Sequence, residues 1–476
     1  MGWTRALLPP AAAVPRSRPQ RQARLLGGLL VADVFGQRLA LPAGAAGQLP
    51  LLLPVALVVS VVGVRRGLLQ IDPARLALGG LAVAGTAVAL GGSMLAGGAT
   101  SAPSYAYLLL TYLPFVLVVG AGGAGVVAAL VARYVRLATV LSVLVLLQLA
   151  VQPLGLHRPD LLASVLPHSL LLDGYNTNNP FYYGASLDRP TGFVMLEPSF
   201  TSQYLGLAVL GQLWLRQRRG PIFLFLAAML VTLTGTGFLL LGAGLLAAAG
   251  AQQAGLLRRL GPVSVAAVAI AVGTPVGSLL LNRATEGSST TTSTGQRFVL
   301  PFTTLVPGWL GDLPGAVVGH GAGSATHFLQ RVSPGVAVVP LAPLKLLFEY
   351  GVIGGVPFLL LLAWCVLPGI RVASLTAGLV VAYLLLSASL LQPSTVDLFW
   401  LLGAVCSRAP GTPSDRPRPA LPAAARTHVP AAPRPGRSHR HVGQRARRPA
   451  SPRTAMGPRA DMGGPPDGAE ELTATR

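Results

Sequence analysis

Three short strings in this sequence place acid–base and anion-binding residue types together. The first is Arg189-Pro-Thr-Gly-Phe-Val-Met-Leu-Glu197-Pro198-Ser199. It sets an arginine and a carboxylate at the mouth of an apolar run. Pro198 suits the first turn of a helix, where no N–H is needed. Glu197 then lies near the positive end of the helix dipole. The second string is Ser293-Thr-Gly-Gln-Arg297. The third, Gly319-His320-Gly-Ala-Gly323-Ser324, predicts a flexible turn that lets backbone approach a ligand closely. His320 has the ring type that serves as a base near neutral pH. The plainer alternatives are a helix-start carboxylate at Glu197 and a hydrogen-bonded loop histidine at His320.

Arginine supplies the anion chemistry. Its planar fork holds phosphate through two parallel hydrogen bonds and keeps its charge. Arg158 and Arg189 lie in one polar stretch, and Arg283, Arg297 and Arg331 in another. His157, His168, His320 and His327 share those stretches. Solvated loop arginines are the alternative for each one singly. As a set they point to an anionic ligand such as a lipid pyrophosphate.

The elements that hold these strings are apolar. The chain has 476 residues, 52% hydrophobic and 11% charged. A soluble globular domain is about 25% charged, so an ordinary cytoplasmic enzyme is excluded. About twelve membrane helices of roughly 20 residues would use about 240 residues, which the chain can supply. Apolar length between charges predicts spans near 25–35, 49–64, 76–95, 105–120, 137–154, 198–215, 263–281 and 344–367. The first is weak, being short and interrupted by Asp33. A short amphipathic piece ending near Arg133 and Arg136 precedes the fifth. Residues 221–250, broken at Thr234-Gly-Thr-Gly237, predict a hairpin of two short helices. Residues 374–406, hinged at Gln392-Pro393, predict two more. Asp33 and Asp397, at span ends, read as interfacial, and Glu349 as a helix-start charge, with a catalytic carboxylate as the alternative.

The formal charge is +21 and unevenly spread. With the basic segment 1–24 in the cytoplasm, Arg65-Arg66, Arg133, Arg136, Arg216, Arg218, Arg219, Arg258-Arg259, Arg371 and Arg408 all fall inside. Arg38 is the exception among short loops. The long loops 155–196 and 282–342 then fall outside. Residues 408–476 carry 13 arginines against five acids among Pro, Ala and Gly, and read as a disordered cytoplasmic tail. This is an all-α polytopic membrane protein of about 12 transmembrane helices, expected in the cytoplasmic membrane with both termini inside.

Several signals carry no function. Gly120-Ala-Gly-Gly-Ala-Gly125 follows a membrane span rather than a strand, so it is no dinucleotide fingerprint. Cys365 and Cys406 lie in apolar runs and support neither a disulfide framework nor a zinc site. No Walker A string appears, and the outer loops hold no metal-ligand spacing, so no metal and no cofactor is expected. The basic tail lacks interleaved aromatics, so no nucleic acid is expected as a partner.

The ordered strings resemble the O-antigen ligase and polysaccharide polymerase superfamily of bacterial membrane glycosyltransferases. The likeness covers roughly residues 25–406. It rests on Arg-x-Thr-Gly-(x)4-Glu-Pro-Ser before a span, the Thr-Gly-Thr-Gly break, Ser/Thr-Gly-x-Arg and Gly-His-Gly-x-Gly in a long outer loop, and Leu346-Leu-Phe-Glu349-Tyr350-Gly351-Val-Ile-Gly354 opening a helix. The resemblance implies metal-independent glycosyl transfer on the outer face. The donor would be a glycan on polyprenyl pyrophosphate, in surface or exopolysaccharide assembly. Membrane lipids and other polysaccharide-assembly membrane proteins would be partners. It also implies pyrophosphate binding by Arg189 and Arg297, with Arg283 weaker, and acceptor activation by the catalytic candidates His320 or Glu197. Ligases carry a His-Asn pair where this chain has Pro340 and Leu341, which favours a polymerase. The alternative class is a secondary transporter or lipid-linked glycan flippase, whose ionisable groups sit at mid-membrane on broken helices.

Overall fold

The computed structural model describes residues 17–43, 48–98, 100–120, 123–154, 160–175, 179–181, 187–215, 220–250, 299–332, 340–366, 373–386 and 390–405. The predicted span 263–281, Arg283, Arg297 and the tail from 408 lie outside the described residues. So do residues 1–16, most of the basic N-terminal segment.

The described residues are predominantly helical. Helix α1 is Arg18–Gly36, followed by a two-stranded ribbon of β1 (Ala40–Pro42) and β2 (Gln48–Pro50). Helix α2 is Leu52–Arg65, β3 is Gln70–Ile71, and α3 is Pro73–Leu95. Helix α4 is Ala102–Tyr112, and β4 (Leu117–Val118) pairs antiparallel with β3. Helices α5 (Gly123–Val151) and α6 (Leu161–Val165) lead to α7 (Pro198–Leu215). Helices α8 (Gly220–Val231) and α9 (Gly235–Gly250) form the hairpin that turns next to the Thr-Gly-Thr-Gly string. Short helices α10 (Leu300–Leu310), α11 (Leu313–Val318) and α12 (Ser324–Val332) precede α13 (Ala342–Val366). Helix α14 (Ala373–Val381) runs into a π turn, and α15 (Pro393–Phe399) ends in another. Among the described residues, three helical stretches are long and apolar enough to cross a membrane: Pro73–Leu95, Gly123–Leu154 and Ala342–Val366.

Hydrogen bonds between connections sort the helix ends into two groups. Arg18 donates to the Gly67 carbonyl (2.6 Å) and Gln22 to Leu68 (2.7 Å), so the start of α1 meets the end of α2. Near that end the Val119 N–H donates to Val405 (2.7 Å), and buried Arg75 donates to the Ala404 carbonyl (2.5 Å). This is the basic end. At the other end, Arg38 forms a two-pronged ion pair with Asp160, one prong at 2.7 Å. Gln152 there bonds Asp188, and Tyr175 bonds Gln392. This is the loop end. Arg38, the exception to the charge pattern, is thus neutralised by a carboxylate of the first long loop.

Helix α7 is central and buried on nearly every side from Pro198 to Leu213. Gly206 allows this closeness, because a Cβ there would meet the Gly237 carbonyl of α9 at 2.8 Å. The side chains of α7, α5, α8, α9 and α14 share one apolar core.

Two expectations are corrected. The piece ending at Arg136 is not separate, because α5 is continuous from Gly123 to Val151. At 1.5 Å per residue its 29 residues reach about 43 Å, longer than a hydrocarbon core of about 30 Å. Asp33 and Asp397, expected at the membrane interface, are both buried inside the protein. Asp33 continues the 3.6-residue stripe of Leu26, Leu29 and Leu30 on α1 and turns inward with them.

Candidate functional site

The sequence-predicted residues that are described all lie at the loop end. Arg189 follows a tight crossing of the chain, where Pro180 and Asp188 pair antiparallel. Its N–H donates to Asn179 O (2.7 Å), and its guanidinium donates to Pro180 O and Asn179 Oδ1, both at 3.2 Å. The guanidinium therefore braces its own loop as well as carrying charge. Glu197 precedes α7 as expected. Its Oε2 accepts from Ser199 Oγ (3.1 Å), and its carbonyl accepts the Thr201 N–H (3.1 Å), the first bond of the helix.

Tyr175 closes this corner. Its hydroxyl donates to Gln392 Oε1 (3.1 Å), and its ring meets Phe200 of α7 edge-on. Burial, with the neighbouring Glu197 carboxylate, pushes the phenol up to about 12. Tyr175 is thus a neutral donor at any physiological pH. It ties the first long loop to the residue before α15.

His320 sits in a second corner, built on a broken helix. Gly351 takes φ 58°, ψ −166° inside α13. The break frees the Phe348 and Glu349 carbonyls from the helical ladder. Phe348 O accepts the His320 N–H (2.9 Å), and Glu349 O accepts the Gly321 N–H (3.0 Å). The close approach predicted for the Gly319 turn is therefore toward backbone. A Cβ on Gly319 would meet Glu349 O at 2.4 Å, and one on Gly351 would meet Val317 O at 2.3 Å.

The imidazole of His320 stacks on Phe348 at 4.4 Å. Nδ1 lies 3.3 Å from Phe348 O, and Nε2 lies 3.9 Å from Asp312 Oδ2. A proton on Nδ1 makes the first contact a hydrogen bond and leaves Nε2 as the basic nitrogen. Glu349 is buried and accepts no hydrogen bond of normal geometry. Its charge is met by Lys345 Nζ at 3.8 Å and by N–H groups of Gly323 and Ala325 at the start of α12. It therefore serves the start of α12 rather than that of its own helix.

The two corners are not joined through His320, because none of its described contacts reaches Glu197 or Arg189. Arg283 and Arg297 lie outside the described residues. Among the described residues no cluster of metal-ligating side chains occurs.

Sequence reasoning missed a buried polar group one turn below the loops. Tyr204 of α7 donates to Asp33 Oδ2 (2.7 Å) and lies 3.4 Å from Ser394 O. Tyr134 donates to the Tyr204 carbonyl (2.7 Å). Asp397 of α15 interacts electrostatically with Asp33. Asp33 Oδ1 and Asp397 Oδ2 accept no hydrogen bond. The one available signal was the position of Asp33 on the apolar stripe of α1. Gln148 and Gln152 were missed as well. They hold the Asp188–Phe193 backbone and carry no motif. No family model matches the chain, and no curated protein matches it.

Proposed function

We propose that this protein is a membrane glycosyltransferase of about 12 transmembrane helices that polymerises, or alternatively ligates, glycans carried on polyprenyl pyrophosphate. Its working face is the loop end, placed outside the cytoplasmic membrane, with both termini inside. The carrying observation is that Arg189, Glu197 and His320 all sit at this end, on backbone fixed by α7 and by the break in α13.

In the reaction, the bond from the anomeric carbon to the pyrophosphate oxygen breaks, and the acceptor oxygen bonds that carbon. The acceptor proton passes to His320 Nε2 or to the Glu197 carboxylate. The electron pair leaves on pyrophosphate, where charge develops and arginines stabilise it. Arg189 supplies that charge, and Arg297 and Arg283 complete the set by resemblance. Membrane lipids surround the helices, and other polysaccharide-assembly membrane proteins would supply donor and remove product.

The test is a gel of surface and lipid-linked glycans from a strain lacking the gene. Loss of long chains with single repeat units accumulating on the carrier supports a polymerase. Long chains retained on the carrier but missing from their acceptor support a ligase. An unchanged profile in a strain without a paralogue sinks the enzyme reading.

One observation favours a transporter or flippase as the second reading. Asp33 and Asp397 are buried carboxylates on α1 and α15, and α15 starts at Pro393, four residues before Asp397. Ion-coupled uptake of lipid-linked glycan into vesicles, with no change in glycan length, would select it.

A further inference from the structure

The geometry points to Gln148 and Gln152 as the residues that position the Arg189–Glu197 string for glycosyl transfer, an inference that rests on the function proposed above. The two glutamines lie one turn apart at the end of α5, and both are buried. Gln148 Oε1 accepts three successive backbone N–H groups, from Thr191 (2.9 Å), Gly192 (2.7 Å) and Phe193 (3.2 Å). Successive N–H groups turned to one point make a nest of the kind that binds anions. Here the amide oxygen of Gln148 fills it.

Gln152 grips the other side of Arg189. Its Oε1 accepts the Asp188 N–H (2.8 Å), and its Nε2 donates to the Asp188 carbonyl (2.9 Å). That pair imitates one rung of a sheet. Arg189 is therefore flanked on both sides by backbone pinned to α5.

The pinned segment is strained. Gly192 has φ 69° and Phe193 φ 66°, the latter in a region that a bulky side chain rarely adopts. A strained turn persists only when its surroundings over-determine it, and Gln148 supplies the three bonds that do so. The Thr201 hydroxyl adds a 3.4 Å contact to Thr191 O from α7. The turn sets the path from Arg189 to Glu197, and so the spacing between anion and acid–base groups.

The test uses the full chain in membranes, in a strain lacking the native gene. Gln148→Leu keeps the bulk and removes the acceptor. Gln148→Glu keeps the acceptor. Leu should speed amide exchange at 191–193 and cut glycan assembly per molecule about 100-fold, the scale of an ångström misplacement. Membrane level should stay near wild type, while the melting temperature should fall, because three buried N–H groups lose their acceptor. Glu should restore both slow exchange and assembly, a rescue that a mere loss of folded protein would not give. Gln152→Leu should repeat the pattern at Asp188 and guards against a folding failure of the first variant. Wild-type assembly by Gln148→Leu, or unchanged exchange at 191–193, overturns the positioning role alone. Normal glycans in the strain lacking the gene overturn the proposed function instead, and the exchange result still reads what Gln148 holds.

Discussion

Tyr204 Oη donates to Asp33 Oδ2 over 2.7 Å, which joins the core of α7 to the far end of α1. The bond is wholly buried, and Asp33 Oδ1 accepts no hydrogen bond. Asp33→Asn keeps an acceptor for Tyr204 and removes a buried carboxylate. Asp33→Leu removes the 2.7 Å partner of the Tyr204 hydroxyl and leaves it only the 3.4 Å contact to Ser394 O, at a cost of about 1–3 kcal/mol. In detergent, the Leu variant should melt clearly lower than wild type, and the Asn variant should match or exceed wild type. Equal loss in both would make the carboxylate itself essential and strengthen the transporter reading.

The difference between Asp33 and the long loops shows what the sequence exposes. Apolar length marks α3 and α13, because such a run has no other use for so many apolar residues, but it fails at 105–120, where α4 stops at Tyr112 and Leu117–Val118 pair as β4. The hairpin of α8 and α9 is legible because Thr-Gly-Thr-Gly interrupts such a run. Apolar length alone says little about Asp33, whereas its phase on the Leu26–Leu30 stripe points inward. The positions of Arg189 and Glu197 before α7 are legible from Pro198. What holds them is not, because Gln148 acts through its own side chain on backbone N–H groups of Thr191, Gly192 and Phe193, which any sequence would supply. The break at Gly351 was equally hidden, since glycine in an apolar run is common in membrane helices.

Tyr175 makes a pH prediction. Its folded phenol is raised to about 12 by burial, with Glu197 adding to it, against an ordinary value of 10. The folded state therefore holds the proton more tightly than the unfolded chain. Stability from this group is fully present below pH 10 and is lost as pH rises from there toward 12. Difference absorbance between wild type and Tyr175→Phe should show one tyrosine ionising near 12 in the folded protein. Ionisation near 10 would place the ring in water and remove its tie to Gln392.

Gly351 tests the second corner. Alanine there must adopt φ 58°, and its Cβ would lie 2.3 Å from Val317 O and 2.5 Å from Gly319 N. Left-handed strain and overpacking together cost about 2–4 kcal/mol. Gly80→Ala in α3 is the control, because nothing lies within 4 Å of its Cβ and the backbone is helical. Thermal melts should show a large loss for Gly351→Ala and none for Gly80→Ala. The strained variant should also lose glycan assembly, because the Gly319 turn that carries His320 must shift.

His320 decides between a base and a braced loop side chain. The ring is partly exposed, stacks on Phe348, and faces Phe348 O through Nδ1. Asparagine places an amide N–H near the Nδ1 position and nothing at Nε2. If the ring only braces the turn, His320→Asn keeps the brace and the activity. If Nε2 takes the acceptor proton, His320→Asn falls by about 100-fold or more, the usual contribution of a positioned base. The proposed chemistry predicts the second result, with normal membrane level and an unchanged melt. Single-turnover transfer from a polyprenyl-pyrophosphate donor in vesicles gives the rate. A full rate for the Asn variant would strip His320 of its role and leave Glu197 as the acid–base candidate.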